Sequence, residues 1–244
     1  MSILLDALAW LVDPANWSGA SGIPARVGEH LLIVLATIAL AGAVAWPLGA
    51  FVGHARRGAA AVAAVTGAAR AIPTLGLLTL FGLWLGIGLG APLIALVVLA
   101  IPSLLAGTYA GMHAIAPDIP AAASAIGMTP LQVVARVELP LALPVIIGGL
   151  RAATLQVVAT ATLAAYISDL GVGRYIFAGL KLADYGRMLG GAIVVIVIAL
   201  ALELILALAQ RLAVTRVANP AAAFRRHDRI GAIADRPAIE RTLT

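Results

Sequence analysis

Residues 71–117 contain no Asp, Glu, Lys or Arg. A helix crosses the hydrocarbon of a bilayer with about 20 apolar residues, so this one stretch holds two crossings. The turn between them is placed at Gly86-Ile87-Gly88-Leu89-Gly90-Ala91-Pro92. A second uncharged run covers 30–55. A third, Leu139–Ser168, is interrupted only by Arg151, and a fourth, between Arg187 and Arg211, only by Glu203. These runs predict an all-α membrane protein with five transmembrane helices, near 30–54, 60–86, 92–116, 142–168 and 189–211. They are too long for barrel strands and lack period-two alternation. The chain has 244 residues, of which 62% are hydrophobic and 11% charged. Soluble domains carry about 25% charged residues, which excludes an ordinary soluble enzyme. With no cysteine, disulfide frameworks, thiolate metal sites and cysteine catalysis are excluded as well. His30, His54, His113 and His227 form no metal-ligand spacing, and His30 and His54 simply bracket the first span.

Basic residues set the expected orientation. With the N-terminus outside, the cytoplasmic segments carry eleven arginines, from Arg56 to Arg241, against Arg26, Arg174, Lys181 and Arg187 in the outer ones. The net charge of +5 is thus a topology signal. A nucleic-acid footprint would add base-stacking aromatics to a basic face, and the basic tail has only Phe224. Three regions follow: an outer-surface segment 1–28, a transmembrane domain 29–212 and a basic cytoplasmic tail 213–244, poorly ordered after Asn219-Pro220. Ile3–Val12 contains Asp6 and no preceding basic residue, unlike a signal peptide. Its Leu4, Leu5, Leu8, Leu11 and Val12 share a face suited to lying on the outer membrane surface.

Gly58 to Gly90 is too long for one straight crossing, and Arg70 and Pro73 fall inside it. Pro73 lacks a backbone donor and kinks or breaks the helix. Two readings stand: a simple kink with Arg70 reaching to the headgroups, or a break lining a pathway. In span four, Gln156 and Thr160 are i,i+4 neighbours. With Thr154 they either line the pathway or bond to other helices and to their own backbone. Arg151 is expected to snorkel towards the cytoplasmic headgroups. Glu203 is a buried charge unless it faces a cavity or partner. Gly49/Gly53, Gly82/Gly86 and Gly107/Gly111 are spaced for close helix contact.

Residues 116–140 read APDIPAAASAIGMTPLQVVARVELP. Two short helices are expected. Asp118 caps the first, Pro120 suits its first turn, and Gly127 ends it in a left-handed conformation. Thr129 caps the second, with Pro130 at its first position and Gln132 closing a capping box. Pro140 and Pro144 mark where span four begins. The result is an elbow, 118–140, projecting into the cytoplasm, and the alanines of its first helix leave a smooth face for a partner.

This loop resembles the signature of binding-protein-dependent ABC transporter permeases, the MetI-like family. That pattern runs Glu-Ala-Ala, three residues, Gly, nine residues, an aliphatic, any residue, Leu-Pro. The chain matches at Ala122, Ala123, Gly127, Val137, Leu139 and Pro140, with Ala121 in place of the glutamate. RAIPTLGLL from Arg70, AGTYAG around Tyr109, AIGMT from Ala125 and GLRAAT from Gly149 are similar to the osmoprotectant branch, whose permeases handle glycine betaine, choline, carnitine and proline betaine. The resemblance covers roughly residues 28–212.

The resemblance implies a non-catalytic permease subunit in the bacterial cytoplasmic membrane. It implies partners: an ABC ATPase that carries the ATP and Mg, a second permease, and an extracytoplasmic solute-binding protein. Ala121 favours a non-identical second permease. No cofactor is implied for this chain. Its only lysine, Lys181, precedes Leu182, so no Gly-x-x-x-x-Gly-Lys-Ser/Thr loop exists. Elbow contacts to the ATPase are expected from Ala121, Ala122, Ala123, Gly127, Thr129, Gln132, Arg136, Val137, Leu139 and Pro140. Pathway candidates are Arg70, Pro73, Thr74, Tyr109, Thr154, Gln156, Thr160 and Glu203. An outer gate or binding-protein dock is expected at Asp169, Gly171, Gly173, Tyr175 and Phe177, on a helix whose apolar face would be Ile176, Leu180 and Ala183. Rival readings are an ATP-independent secondary transporter or channel, a membrane-embedded hydrolase or transferase, and a permease for an amino acid or other small solute.

Overall fold

The computed structural model describes residues 3–217; the tail expected beyond Asn219-Pro220 lies outside them. Ten α-helices follow in order: α1 (Ile3–Val12), α2 (Ile23–His54), α3 (Ala59–Ala71), α4 (Thr74–Leu85), α5 (Gly90–His113), α6 (Asp118–Ala125), α7 (Pro130–Val133), α8 (Leu139–Ala164), α9 (Gly173–Leu182) and α10 (Tyr185–Val217). A 3-10 turn, Pro14–Trp17, follows α1, and a π-helical turn, Val134–Glu138, joins α7 to α8. Four helical stretches are long and apolar enough to cross a membrane: α2, α5, the continuous Pro130–Ala164 and α10. The pair α3 and α4 is long and apolar enough only together and is bent by 81° at the break, as in a broken fifth span or a re-entrant loop.

The break lies at Ile72-Pro73, as the proline predicts. Ile72 is extended and Pro73 forms the N-cap of α4. Other boundaries differ from expectation for local reasons. Span one starts at Ile23, because Arg26 and Glu29 form an i,i+3 ion pair at 3.0 Å and so extend the helix instead of ending it. The division at 28/29 therefore falls inside α2. Span four starts at Pro130, because the second elbow helix runs into it without a stop. Pro140 cannot donate to the carbonyl of Arg136. The wider π turn absorbs that loss, with the Leu139 N–H donating to the Val134 carbonyl five residues back.

Helix α5 is central, packed against both α2 and α8, which also touch each other; α10 packs on α8. Glycine makes both α5 contacts possible. Gly49 and Gly53 of α2 sit against Thr108 and Met112 of α5 so closely that a Cβ would lie 2.6 and 2.5 Å from their side chains. On the neighbouring face, a Cβ at Gly107 would meet the Gly149 Cα at 2.6 Å, and one at Gly111 would press on Ala142. Two of the three glycine pairs are thus helix seats. In the third, Gly82 packs on Ile167 while Gly86 ends α4 at φ 83°. Ile33, Val34, Leu96, Leu104, Val157 and Val158 fill the α2–α5–α8 core. Lipid tails are as apolar as leucine, so close van der Waals packing, not transfer from water, holds these helices together.

At the end of the bundle opposite the elbow, α1 docks on the start of α10. Ala7 is buried, Asp6 lies over Gly186 and Trp10 over Gly190. Of the expected outward face, Leu4, Leu5, Leu8 and Val12 are exposed, while Leu11 is half-buried against the core. Asn16 Nδ2 and Trp17 Nε1 donate to the carbonyls of Trp10 and Leu11, at 2.8 and 2.7 Å, and close the C-terminus of α1.

Candidate functional site

The elbow is stiff because its chain ends are satisfied locally. Gly127 has φ 91°. Its N–H donates to the Ser124 carbonyl at 3.0 Å, and the Met128 N–H donates to the Ala123 carbonyl at 3.2 Å. Together these form a Schellman motif. Thr129 then opens α7 with the expected capping box: the Thr129 N–H donates to Gln132 Oε1 at 2.9 Å, and the Gln132 N–H to Thr129 Oγ1 at 3.4 Å. One expectation fails. Asp118 is the first helical residue rather than the cap, and Pro117 at the N-cap offers no side-chain bond. Asp118 favours the helix start only through its charge near the positive end of the helix dipole.

The elbow's tip is greasy. Ile126 is 82% exposed and Leu131 77%, with Ile119 also exposed. Ala121 and Ala122 are exposed beside them, as are Arg136 and Pro140, while Val137 and Leu139 are half-buried and Ala123 is buried. Beneath the tip, Glu138 is only 1% exposed. Its Oε2 lies 2.7 Å from His54 Nδ1 at the end of α2, and Arg56 donates to the Ile115 carbonyl nearby. The elbow is therefore tied to span one as well as to span four. Sequence reasoning assigned His54 no role and overlooked Glu138. The available signal was a carboxylate directly before Leu139-Pro140.

A polar cleft of about 170 Å³ lies at the 81° break, between α3, α5 and α8. Arg70 and Gln156 line it with Thr66 and Ser103. Ser103 Oγ donates to Gln156 Oε1 at 2.9 Å, and Gln156 Nε2 to the Leu99 carbonyl at 3.4 Å. Arg70 lines this cleft at the end of α3. The other pathway candidates lie apart from it. Pro73 is exposed and Thr74 half-buried at the break, and Thr154 is buried. Thr160 Oγ1 donates back to the Gln156 carbonyl at 2.8 Å. The Tyr109 hydroxyl is enclosed without a hydrogen-bond partner, its ring edge-on to His113 at 5.3 Å. Glu203 binds Arg151, whose Nε lies 3.3 Å from Glu203 Oε2. The Arg151 guanidinium also donates to Gln210. So Arg151 does not snorkel: its charge is met across the α8–α10 seam.

At the opposite end, Arg26 bridges Glu29 and Asp169, with 3.9 Å to the Asp169 carboxylate. Arg174 pairs with Asp169 at 2.6 Å, and the Gly171 N–H donates to Glu29 at 2.9 Å. These bonds clamp the 169–174 loop onto α2. Gly171, at φ 77°, and Gly173 are buried where the loop crosses His30 and the Thr162 carbonyl. Tyr175 is buried too, stacked edge-on against Trp10 at 4.9 Å, with its hydroxyl donating to the Ser21 carbonyl at 2.6 Å. Burial pushes its phenol pKa up, against the opposing pull of Arg26 and Arg187. The buried residues of α9 are Gly173, Tyr175 and Gly179; of the expected apolar face, Ile176 is half-buried against Gly191 while Leu180 and Ala183 are exposed. Gly179 lets α9 press onto the start of α10 at Met188, which rotates Leu180 outward to 58% exposure. Phe177 is half-buried beside Tyr166 at 5.5 Å. Among the described residues no His, Asp and Glu group could hold a metal.

Residues 45–219 match the family described as "Binding-protein-dependent transport system inner membrane component". The choline transport system permease protein OpuBB of Bacillus subtilis (strain 168) is 36% identical over 183 residues, 75% of this chain and 84% of that one. The glycine betaine/carnitine/choline transport system permease protein OpuCB of the same organism is 34% identical over 186 residues, 76% and 86% of the two chains. An inward-facing structure of the MetNI methionine ABC transporter superposes with a TM-score of 0.68 at 20% identity, covering 82% of this chain and 98% of that one, which shows a shared fold. The capped elbow, the four to five candidate crossings and these likenesses agree: the chain belongs to the binding-protein-dependent inner-membrane transport components, as a multi-pass permease subunit.

Proposed function

We propose that this chain forms the translocation pathway of an ATP-driven importer for small osmoprotectants such as glycine betaine, choline, carnitine or proline betaine. The relatives at 36% and 34% identity carry choline, glycine betaine and carnitine in their names, which supports the substrate class. One observation carries the coupling role. An exposed apolar tip, Ile119, Ile126 and Leu131, sits on a frame capped at Gly127 and Thr129 that continues without a break into span four. Exposed apolar side chains outside a membrane mark a contact surface, and a helix running from that surface through the bundle carries a rigid-body movement inward.

In this reading the elbow faces the cytoplasm, and a partner ATPase holding ATP and Mg docks on its tip. Closure of the ATPase pair moves the elbow. Glu138 and His54 pass that movement to span one, and the π turn passes it to span four. An external binding protein delivers solute at the end formed by α1 and α9. There Gly171, Gly173 and Tyr175 shape the loop from within, while Asp169 and the exposed outer face of α9 offer the contact surface. A second permease faces the cleft. Ala121, standing where the family pattern has glutamate, supports a non-identical one.

The test is uptake by proteoliposomes holding this chain with its ATPase, companion permease and binding protein. Nucleotide-dependent uptake of radiolabelled glycine betaine or choline, without methionine uptake, is expected. Methionine uptake alone would move the assignment to the amino-acid permeases. Uptake that persists without ATP would overturn the importer reading.

A further inference from the structure

Arg70 poses a problem of depth and charge. The cleft it lines sits about midway along α5 and α8, since its other lining residues include Pro102, Ser103 and Gln156, near the centres of Gly90–His113 and Leu139–Ala164. Both Arg70 and Gln156 are exposed in the isolated chain. Among the described residues Arg70 has no carboxylate partner. A guanidinium at mid-depth is too costly to face lipid, so this face borders water or solute.

The charge lining the cleft has one sign. Ser103 has given its proton to Gln156 Oε1. Thr66 donates to its own helix, at 2.8 Å from the Val62 carbonyl. Arg70 is the one charged group in the lining, and one N–H of Gln156 is also unspent; the hydroxyls and Gln156 Oε1 keep only neutral acceptor lone pairs. No carboxylate and no aromatic ring line the cleft. A naked quaternary ammonium would find neither a counter-charge nor an aromatic cage there. A carboxylate would find a planar donor fork with an amide donor beside it. The volume of about 170 Å³ is more than ten times the roughly 10–15 Å³ one water requires.

We infer that Arg70, with Gln156, forms a carboxylate-recognition site on the pathway, so the permease itself selects zwitterionic osmolytes with a carboxylate over simple cations such as choline. This rests on the proposed importer function and narrows its substrate class.

The experiment compares wild type, Arg70→Gln and Arg70→Lys in the complete reconstituted importer. It follows uptake of glycine betaine and of choline, together with the ATPase activity evoked by solute-loaded binding protein. Loss of a charge-assisted bond to the solute lowers glycine betaine uptake about tenfold or more in Arg70→Gln, and Arg70→Lys recovers part of it. Evoked ATPase activity is retained, because docking and coupling lie elsewhere, and any choline uptake changes by less than about threefold. Equal losses of both solutes, a parallel loss of ATPase activity, or unchanged glycine betaine uptake in Arg70→Gln would each overturn the carboxylate assignment and leave the importer reading standing. Uptake of neither solute by the wild type would overturn both.

Discussion

At the residue scale the fold depends on a few polar side chains in apolar surroundings. Glu138 is the sharpest case, buried beneath the elbow with His54 as its partner at 2.7 Å. His54→Ala leaves that carboxyl without its bond and is expected to cost about 1–3 kcal/mol, read as a lower unfolding temperature of the purified protein. ATPase activity should also run on with reduced uptake, since the tie from elbow to span one is lost. Tyr175 tests the other end. Tyr175→Phe removes the bond to Ser21 and should cost about 0.5–1.5 kcal/mol. Because burial raises the phenol pKa, its stabilising contribution is fully present below the ordinary tyrosine range, near 10. It is lost as the pH rises through the raised value. Thermal unfolding of wild type and variant should therefore differ at neutral pH and converge at strongly alkaline pH. Neither residue's partner was legible in sequence. Arg151 and Glu203 make the same point: they meet across two helices, 52 positions apart, and no local pattern encodes that pairing.

At the element scale, what was legible is what local chemistry fixes. Gly127, Thr129, Pro130 and Gln132 each answer to backbone groups within five residues, so the Schellman turn and the capping box could be read directly. Pro73 announced the 81° break because a missing N–H acts on its own helix. The continuity of Pro130–Ala164 was hidden, since Pro140 suggested a stop and the π turn that bypasses it leaves no composition signal. Helix contacts divide in the same way: glycine spacing marked candidate seats, but only the packed structure shows which were filled. Gly107 faces the Gly149 backbone at a distance no side chain tolerates. Gly107→Val should force α5 and α8 apart and cost about 1–3 kcal/mol or more, measured as loss of folded protein in detergent. Gly127→Ala keeps the bundle intact but strains the left-handed turn by roughly 1–2 kcal/mol. Its signature is reduced ATP-driven uptake at normal expression.

At the scale of the whole molecule, the two ends of the bundle are built differently. The end opposite the elbow is clamped by Arg26, Asp169, Glu29 and Arg174 and covered by α1. The elbow end exposes an apolar tip. The all-helical class and four of the long apolar helices followed from uncharged runs alone, because each crossing must satisfy its backbone internally. The midplane cleft did not, since Thr66, Ser103 and Gln156 come from three helices and only folding brings them to Arg70. In the proposed importer, an ATPase grips the bundle at the exposed tip, residues 126–131. The most direct test is Ile126→Glu with Leu131→Glu in the reconstituted importer, with thermal unfolding confirming an intact fold. Both side chains are solvent-facing, so the bundle should fold normally. Nucleotide-driven uptake should be abolished, and the ATPase should no longer copurify. Full ATP-driven uptake by this variant, with the ATPase still bound, would contradict the account.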